Sequence, residues 1–114
     1  MRSFVANGER YRSCVIVTVV RFPMDPAQPA EAVRSSFEAS APAYQSIPGL
    51  TRKHFLRAED GSAGGGVYLW ESREAAEAWY TPAWIERVTQ KFGPPQIDWF
   101  ESPVTVDADG VTVA

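Results

Sequence analysis

The sequence has little of the residue types that usually announce chemistry. Its 114 residues hold one cysteine, Cys14, and one histidine, His54. A lone cysteine excludes an internal disulfide and fits a reducing compartment, so a cytoplasmic location is expected. One histidine and one distant cysteine form no ligand cluster, so no metal cofactor is expected. No serine or cysteine partner is indicated for His54, which leaves no nucleophilic triad. No apolar run reaches the roughly 18 residues of a membrane span. The opening Met1–Gly8 lacks the long apolar segment of a signal peptide, so neither export nor membrane insertion is expected. The net charge is -3, and the cations are scattered among anions without a basic stripe. Nucleic acid is therefore not an expected partner. No internal repeat or low-complexity tract occurs.

What is abundant is apolar and aromatic. The chain is 45% hydrophobic and 12% aromatic, with four tryptophans and four tyrosines. That suits one domain with a core that needs no disulfide. Buried indole N–H and phenol O–H groups need partners, so the surplus hints at a lined cavity or a subunit interface, ordinary packing being the alternative.

Residues 1–12 are polar and irregular and read as a flexible arm. Residues 13–103 read as the folded domain, and 104–114 as a terminal hairpin or tail. Cys14–Phe22 is a β-branched run apolar on both faces, as in a central strand. Pro23, Pro26 and Pro29 then form a loop, and Pro29 suits a helix start. Ala30, Val33, Phe37, Ala41 and Tyr44 recur at helical spacing, with Pro42 expected to kink or shorten that helix. Leu50–Ala58 reads as a second strand, Glu59–Ser62 as a hairpin turn and Val67–Glu71 as a third strand. Gly64, Gly65 and Gly66 before it suggest a bulge or a close approach by another group. They do not suit a phosphate loop, because no helix follows them. Ser72 is an N-cap, and Thr81-Pro82 marks a break and restart in the helix beyond. Gln96–Glu101 is a fourth strand, and two Val-Thr-Val segments flank Asp107–Gly110 as a hairpin.

The order βαββαβ predicts an α+β, ferredoxin-like fold: an antiparallel four-stranded sheet, two helices on one face, and an extra C-terminal hairpin. Helices on one face leave the other face of a doubly apolar strand uncovered. A second copy is the simplest cover, which gives a homodimeric α/β barrel.

Phe22-Pro23-Met24-Asp25, Pro48-Gly49-Leu50, Trp70-Glu71-Ser72 with Glu74-Ala75, and Gly93-Pro94-Pro95 occur here in that order. In this the chain resembles the antibiotic-biosynthesis monooxygenase-like proteins of the dimeric α/β-barrel superfamily. The likeness is to the cofactor-independent quinone-forming enzymes and the YdhR-like monooxygenases, over about residues 14–103. The resemblance implies an apolar pocket between sheet and helices, with a strand Trp at Trp70 and an Arg at Arg87. It departs where the family has a site His, Asn and Tyr: Leu56, Gly66 and Ala76 stand there. The superfamily's haem-degrading members have a pocket Trp that Trp79 matches, but their iron-binding His falls at Thr89. Threonine is no haem ligand, so no cofactor is expected.

With Leu56 and Trp70 taken as pocket positions, pleat alternation adds Arg52, His54 and Tyr68 to that wall. His54 is then the expected general base, since a histidine can accept a proton near neutral pH, with a solvent-facing strand residue as the alternative. Trp70 and Tyr68 are expected to stack on a planar substrate, and Phe37, Trp79 and Trp84 to close the helix side. Arg52 and Arg87 are candidates to hold a substrate oxyanion. The expected function is a cofactor-independent monooxygenase acting on an aromatic or polyketide-type small molecule in secondary metabolism. A cofactor-free cyclase or isomerase, or a binding protein without catalysis, uses the same pocket equally well.

Overall fold

The computed structural model describes residues 15–113; the arm read over 1–12, and Cys14, lie outside them. The strands are β1 (Val15–Pro23), β2 (Leu50–Arg57), β3 (Ala63–Trp70), β4 (Gln96–Ser102), β5 (Val104–Asp107) and β6 (Gly110–Val113), and the helices are α1 (Ala30–Ser40), α2 (Arg73–Trp79) and α3 (Pro82–Lys91). The first four strands form one antiparallel sheet in the order β2-β3-β1-β4. This is the expected ferredoxin-like βαββαβ fold, with the second helix divided in two.

Local chemistry sets the element ends. α1 stops at Ser40 and passes into a short 3-10 turn, Ala41–Tyr44, with Pro42 in its first turn. Proline has no N–H to continue the α-helical ladder. Ser72 Oγ accepts the Ala75 N–H at 3.1 Å at the start of α2, and Thr81 Oγ1 accepts the Trp84 N–H at 3.2 Å at the start of α3. Each hydroxyl satisfies a donor that the start of its helix leaves open. α3 starts at Pro82, with only Tyr80 and Thr81 between it and the end of α2 at Trp79.

Along β1, Ile16, Thr18, Val20 and Phe22 are buried against the helices, while Val15, Val17 and Val19 are half-buried on the opposite face. Within one protomer the strand is therefore covered on one face only, not on both as its composition suggests. The covered face carries a polar knot in an aromatic core. Thr18 Oγ1 accepts the Trp70 indole N–H at 3.0 Å and shares a hydrogen bond with the Tyr80 hydroxyl at 2.7 Å. Trp70 and Thr18 are wholly buried. The Tyr68 and Trp70 rings lie parallel with centroids 5.7 Å apart, and Tyr80 meets both edge-on. Three polar groups that would each be costly to bury alone are thus satisfied together.

Gly64, Gly65 and Gly66 lie within β3, whose ladder with β1 stays in register through them. They serve close approach: at Gly65, with φ +152°, a Cβ would run into the Val20 carbonyl. The bulge sits instead in β2, between Leu50 and Arg52. β5 and β6 form a separate hairpin with Val104, Val106, Val111 and Val113 exposed. In its ladder, valines pair with valines and threonines with threonines, so one side of the hairpin is wholly valine.

Candidate active site

The β2–β3 hairpin decides which side chains reach the helix face. Its loop closes with Ala58 N–H donating to the Ala63 carbonyl at 2.8 Å, Gly61 N–H donating to the Ala58 carbonyl at 2.8 Å, and Gly61 at φ +78°. The pairs that follow join odd residues of β2 to even residues of β3: Phe55 to Gly66, and Lys53 to Tyr68. Lys53 and Phe55 therefore share the helix face with Tyr68 and Trp70. Arg52, His54 and Leu56 share the outer face with Leu69, Val67 and Gly65. This corrects the pleat reading, which placed Arg52, His54 and Leu56 on the pocket wall. A shift of one residue in the pairing moves every side chain of a strand to the other face.

Between sheet and helices lies a cavity of about 440 Å³, of the size used for small organic molecules. Phe22, Lys53, Phe55 and Tyr68 line it from the strands, Ser36 and Phe37 from α1, and Tyr44 from the 3-10 turn. Trp79 lines it from α2, and Trp84, Arg87, Val88 and Lys91 from α3. Tyr68, Phe37, Trp79, Trp84 and Arg87 thus stand where they were expected. Trp70 lies one ring deeper: it stacks behind Tyr68 and gives its N–H to Thr18, so it supports the wall rather than forming it. The Trp79 Nε1 atom is covered and has no hydrogen-bond partner among the described residues.

Lys53 was not singled out by the sequence reading. Its ammonium nitrogen sits 3.4 Å from the centroid of the Tyr44 ring, 3.8 Å from that of Phe55 and 4.6 Å from that of Tyr68. The stem finds room because residue 66 is glycine: a Cβ there would lie 2.9 Å from Lys53 Cε and 3.2 Å from the Tyr68 ring. Ring faces favour a cation, but withdrawal from water is the larger effect, and burial brings the Lys53 amine from 10.5 down to about 7. Burial moves the nearby phenols the other way, raising Tyr44 and pushing Tyr68 far up; the positive charge of Arg87 is among the influences that pull Tyr44 back. Lys53 is thus an amine that exchanges a proton near neutrality inside an aromatic enclosure, beside phenols that stay protonated.

The residues present do not fit haem. Thr89 is exposed on α3 and donates its hydroxyl to the Ile85 carbonyl at 2.6 Å, and the one histidine faces away from the cavity. No group of three His, Cys, Asp or Glu side chains suited to a metal ion occurs among the described residues, and no helix there is long and apolar enough to cross a membrane.

Comparison with known proteins places this geometry. The family model described as "Putative mono-oxygenase ydhR" matches residues 17–108. No curated protein matches significantly. Among solved structures, NE2512, a protein of unknown function from Nitrosomonas europaea, superposes with TM-score 0.63 at 18% identity, over 80% of this chain and 91% of that one. The ActVA-Orf6 monooxygenase of Streptomyces coelicolor, in complex with nanaomycin D, gives TM-score 0.59 at 23% identity, over 79% and 88%. SnoaB, a cofactor-independent oxygenase from Streptomyces nogalater, gives 0.58 at 20% identity, over 82% and 97%. At these identities the structural likeness is one of fold.

Proposed function

The chain belongs to the YdhR mono-oxygenase family, and from that premise we propose that it oxidises a planar aromatic, polyketide-type small molecule with dioxygen and without a bound cofactor. The observation that carries the reading is the Lys53 amine, held within 3.4 Å of an aromatic ring centroid in an apolar cavity. The two Streptomyces oxygenases of the same fold, one of them with an aromatic ligand bound, support it.

The chemistry needs little from the protein. An activated CH₂ flanked by aromatic rings, as in an anthrone, gives a proton to neutral Lys53 and becomes a delocalised carbanion. One electron passes to dioxygen, and the two radicals combine to form a carbon–oxygen bond. The peroxide takes the proton back from Lys53. Neutral Lys53 then removes the second carbon-bound proton as the O–O bond breaks and a carbonyl forms, and the hydroxide released takes that proton from Lys53 and leaves as water. Carbon loses four electrons and dioxygen gains four, so no other reductant is required. Tyr68, Phe55 and Trp79 orient the rings and keep bulk water out.

Oxygen uptake with an anthrone, followed with and without protein, tests this. The expected result is protein-dependent uptake of one dioxygen per quinone formed, with a rate that climbs as pH rises through about 7, where Lys53 becomes neutral. Lys53→Met should lower turnover by about 10²–10⁴-fold and abolish that rise. Uptake no faster than the spontaneous reaction, or a cyclised product formed without oxygen, would overturn the reading.

The same proposal includes a second copy of the chain, with the pair working in the cytoplasm. Val17, Val19, Val67 and Leu69 lie half-buried on the outer sheet face, beside Leu56 and Phe100, which are 38% and 54% exposed. A face of that composition suits another sheet of its own kind. The valine side of the β5–β6 hairpin offers a further apolar surface to the same partner.

A further inference from the structure

The cavity is electrostatically one-sided. Lys53, Arg87 and Lys91 line it, and no aspartate or glutamate does. Yet the chain has 14 acidic residues against 11 basic, so an average stretch of its surface would hold both signs. Four of the five acids on the helices are engaged elsewhere, Glu31 and Glu38 with Arg34, Glu77 with Arg73, and Glu86 with the Gln90 amide, and the fifth, Glu74, does not line the cavity. Among the described residues none of the three cavity cations has an ion pair. Asp25 shares an adjoining groove with Lys91, but its carboxylate accepts the Ala27 N–H at 2.9 Å. Arg87 and Lys53 also converge. The charge of Arg87 is felt at the Tyr44 hydroxyl, and Lys53 lies over the ring of the same tyrosine.

Deepening the reading of this cavity as a substrate site, and resting on it, we infer that the substrate is an aromatic carboxylic acid. Its flat body lies against Tyr68, Phe55 and Trp79, and its carboxylate meets Arg87, with Lys91 adding to the field at the mouth. A guanidinium presents paired donors that match a carboxylate's two oxygens. Apolar walls on the cavity side strengthen that contact relative to one in open water. Lys53, further in, is left free to exchange its proton. An acid bound with its carboxylate at Arg87 would also repel a like-charged carboxylate elsewhere on the protein only weakly, since none lines the site.

Binding to the full chain, read by tryptophan fluorescence, separates this from the oxygenase reading because it needs no turnover. The probes are 3-hydroxy-2-naphthoate and 2-naphthol, which share the ring and the hydroxyl and differ in the carboxylate. The measurement is made at about pH 8, above the Lys53 value of about 7. The naphthoate is expected to bind about tenfold or more tighter at low salt, the effect of one charge-assisted contact. The preference should shrink as salt screens it. Arg87→Gln should bring the two probes to similar affinity, and because Arg87 is solvent-exposed on α3 the variant should fold. Equal or tighter binding of 2-naphthol to the unaltered protein would overturn the acid while leaving the aromatic pocket standing. Binding of neither probe would overturn both.

Discussion

The two faces of the sheet come from the same strands and are finished in opposite ways. On the helix face, Ile16, Val20, Tyr68 and Trp70 are buried, and the polar groups of Thr18, Trp70 and Tyr80 satisfy one another. On the outer face, Val17, Val19, Val67 and Leu69 are half-buried, and His54, Leu56 and Phe100 are exposed. The difference shows how a small domain divides its tasks. In the proposed function, one face supplies an aromatic wall and the chemistry in front of it, and the other offers its apolar surface to a second copy. A residue's function here follows from which face it takes, more than from its type.

The largest effect that separates the faces should come from Trp70→Ala. It removes the largest wholly buried side chain, takes one of the two hydrogen-bond partners of Thr18 and removes the backing from Tyr68. A loss of about 3–5 kcal/mol in unfolding free energy is expected, measured by denaturant titration. A loss under about 1 kcal/mol, the level of a surface substitution, would mean that the helix face tolerates a void and that its order is overstated.

How far the sequence revealed these faces depended on the range of the signal. The element ends were legible because their causes are local: Ser72 and Thr81 cap the next turn, and Pro42 and Pro82 stop or start a helix in place. Of the two readings of the glycine run, a bulge or a close approach, the structure has the close approach, and the bulge lies in β2. The side of the sheet taken by β2 was not legible. It depends on how Ala58–Ala63 closes, including the left-handed backbone of Gly61, and a different closure would have reversed Lys53 and His54. Trp70 was placed on the right face at the wrong depth, because its N–H is taken by Thr18, 52 residues away in the chain. Lys53 had a signal that only the register could release. Gly66 leaves space on the helix face, and the lysine stem fills it.

A smaller effect on the folded state, with a large one on assembly, is expected from Phe100→Asp. Phe100 pairs with Val17 in the sheet and points outward at 54% exposure. A carboxylate there adds no clash within the protomer but would bury a charge against the partner's apolar surface in a dimer through this face. Sedimentation should show a dimer for the unaltered chain and a protomer of 12.6 kDa for the variant. A dimer that survives the substitution would move the association surface elsewhere, with the hairpin valines the next place to probe.

The smallest effect is expected from His54→Ala, and it is the sharpest test of the face assignment. From residue type alone, His54 is the natural base: it is the single histidine, on a strand that borders the site. Its partner across the ladder is Val67, however, and its side chain leaves the sheet on the side away from Tyr44, Tyr68 and Lys53. A base must come within hydrogen-bond reach of the proton it takes, directly or through one water, and the sheet itself separates this imidazole from the cavity. Turnover of an anthrone by the variant should stay within about twofold of the unaltered enzyme, far from the 10²–10⁴-fold loss of a positioned base. The climb in rate through pH 7 should also persist, because it belongs to Lys53. The pH profile matters more than the rate at one pH: the histidine variant could lose some activity through a weakened outer face, but only loss of the base would flatten the profile. If His54→Ala flattens it and Lys53→Met does not, the two residues have exchanged faces. The β2–β3 register, and the chemistry built on it, would then have to be reversed.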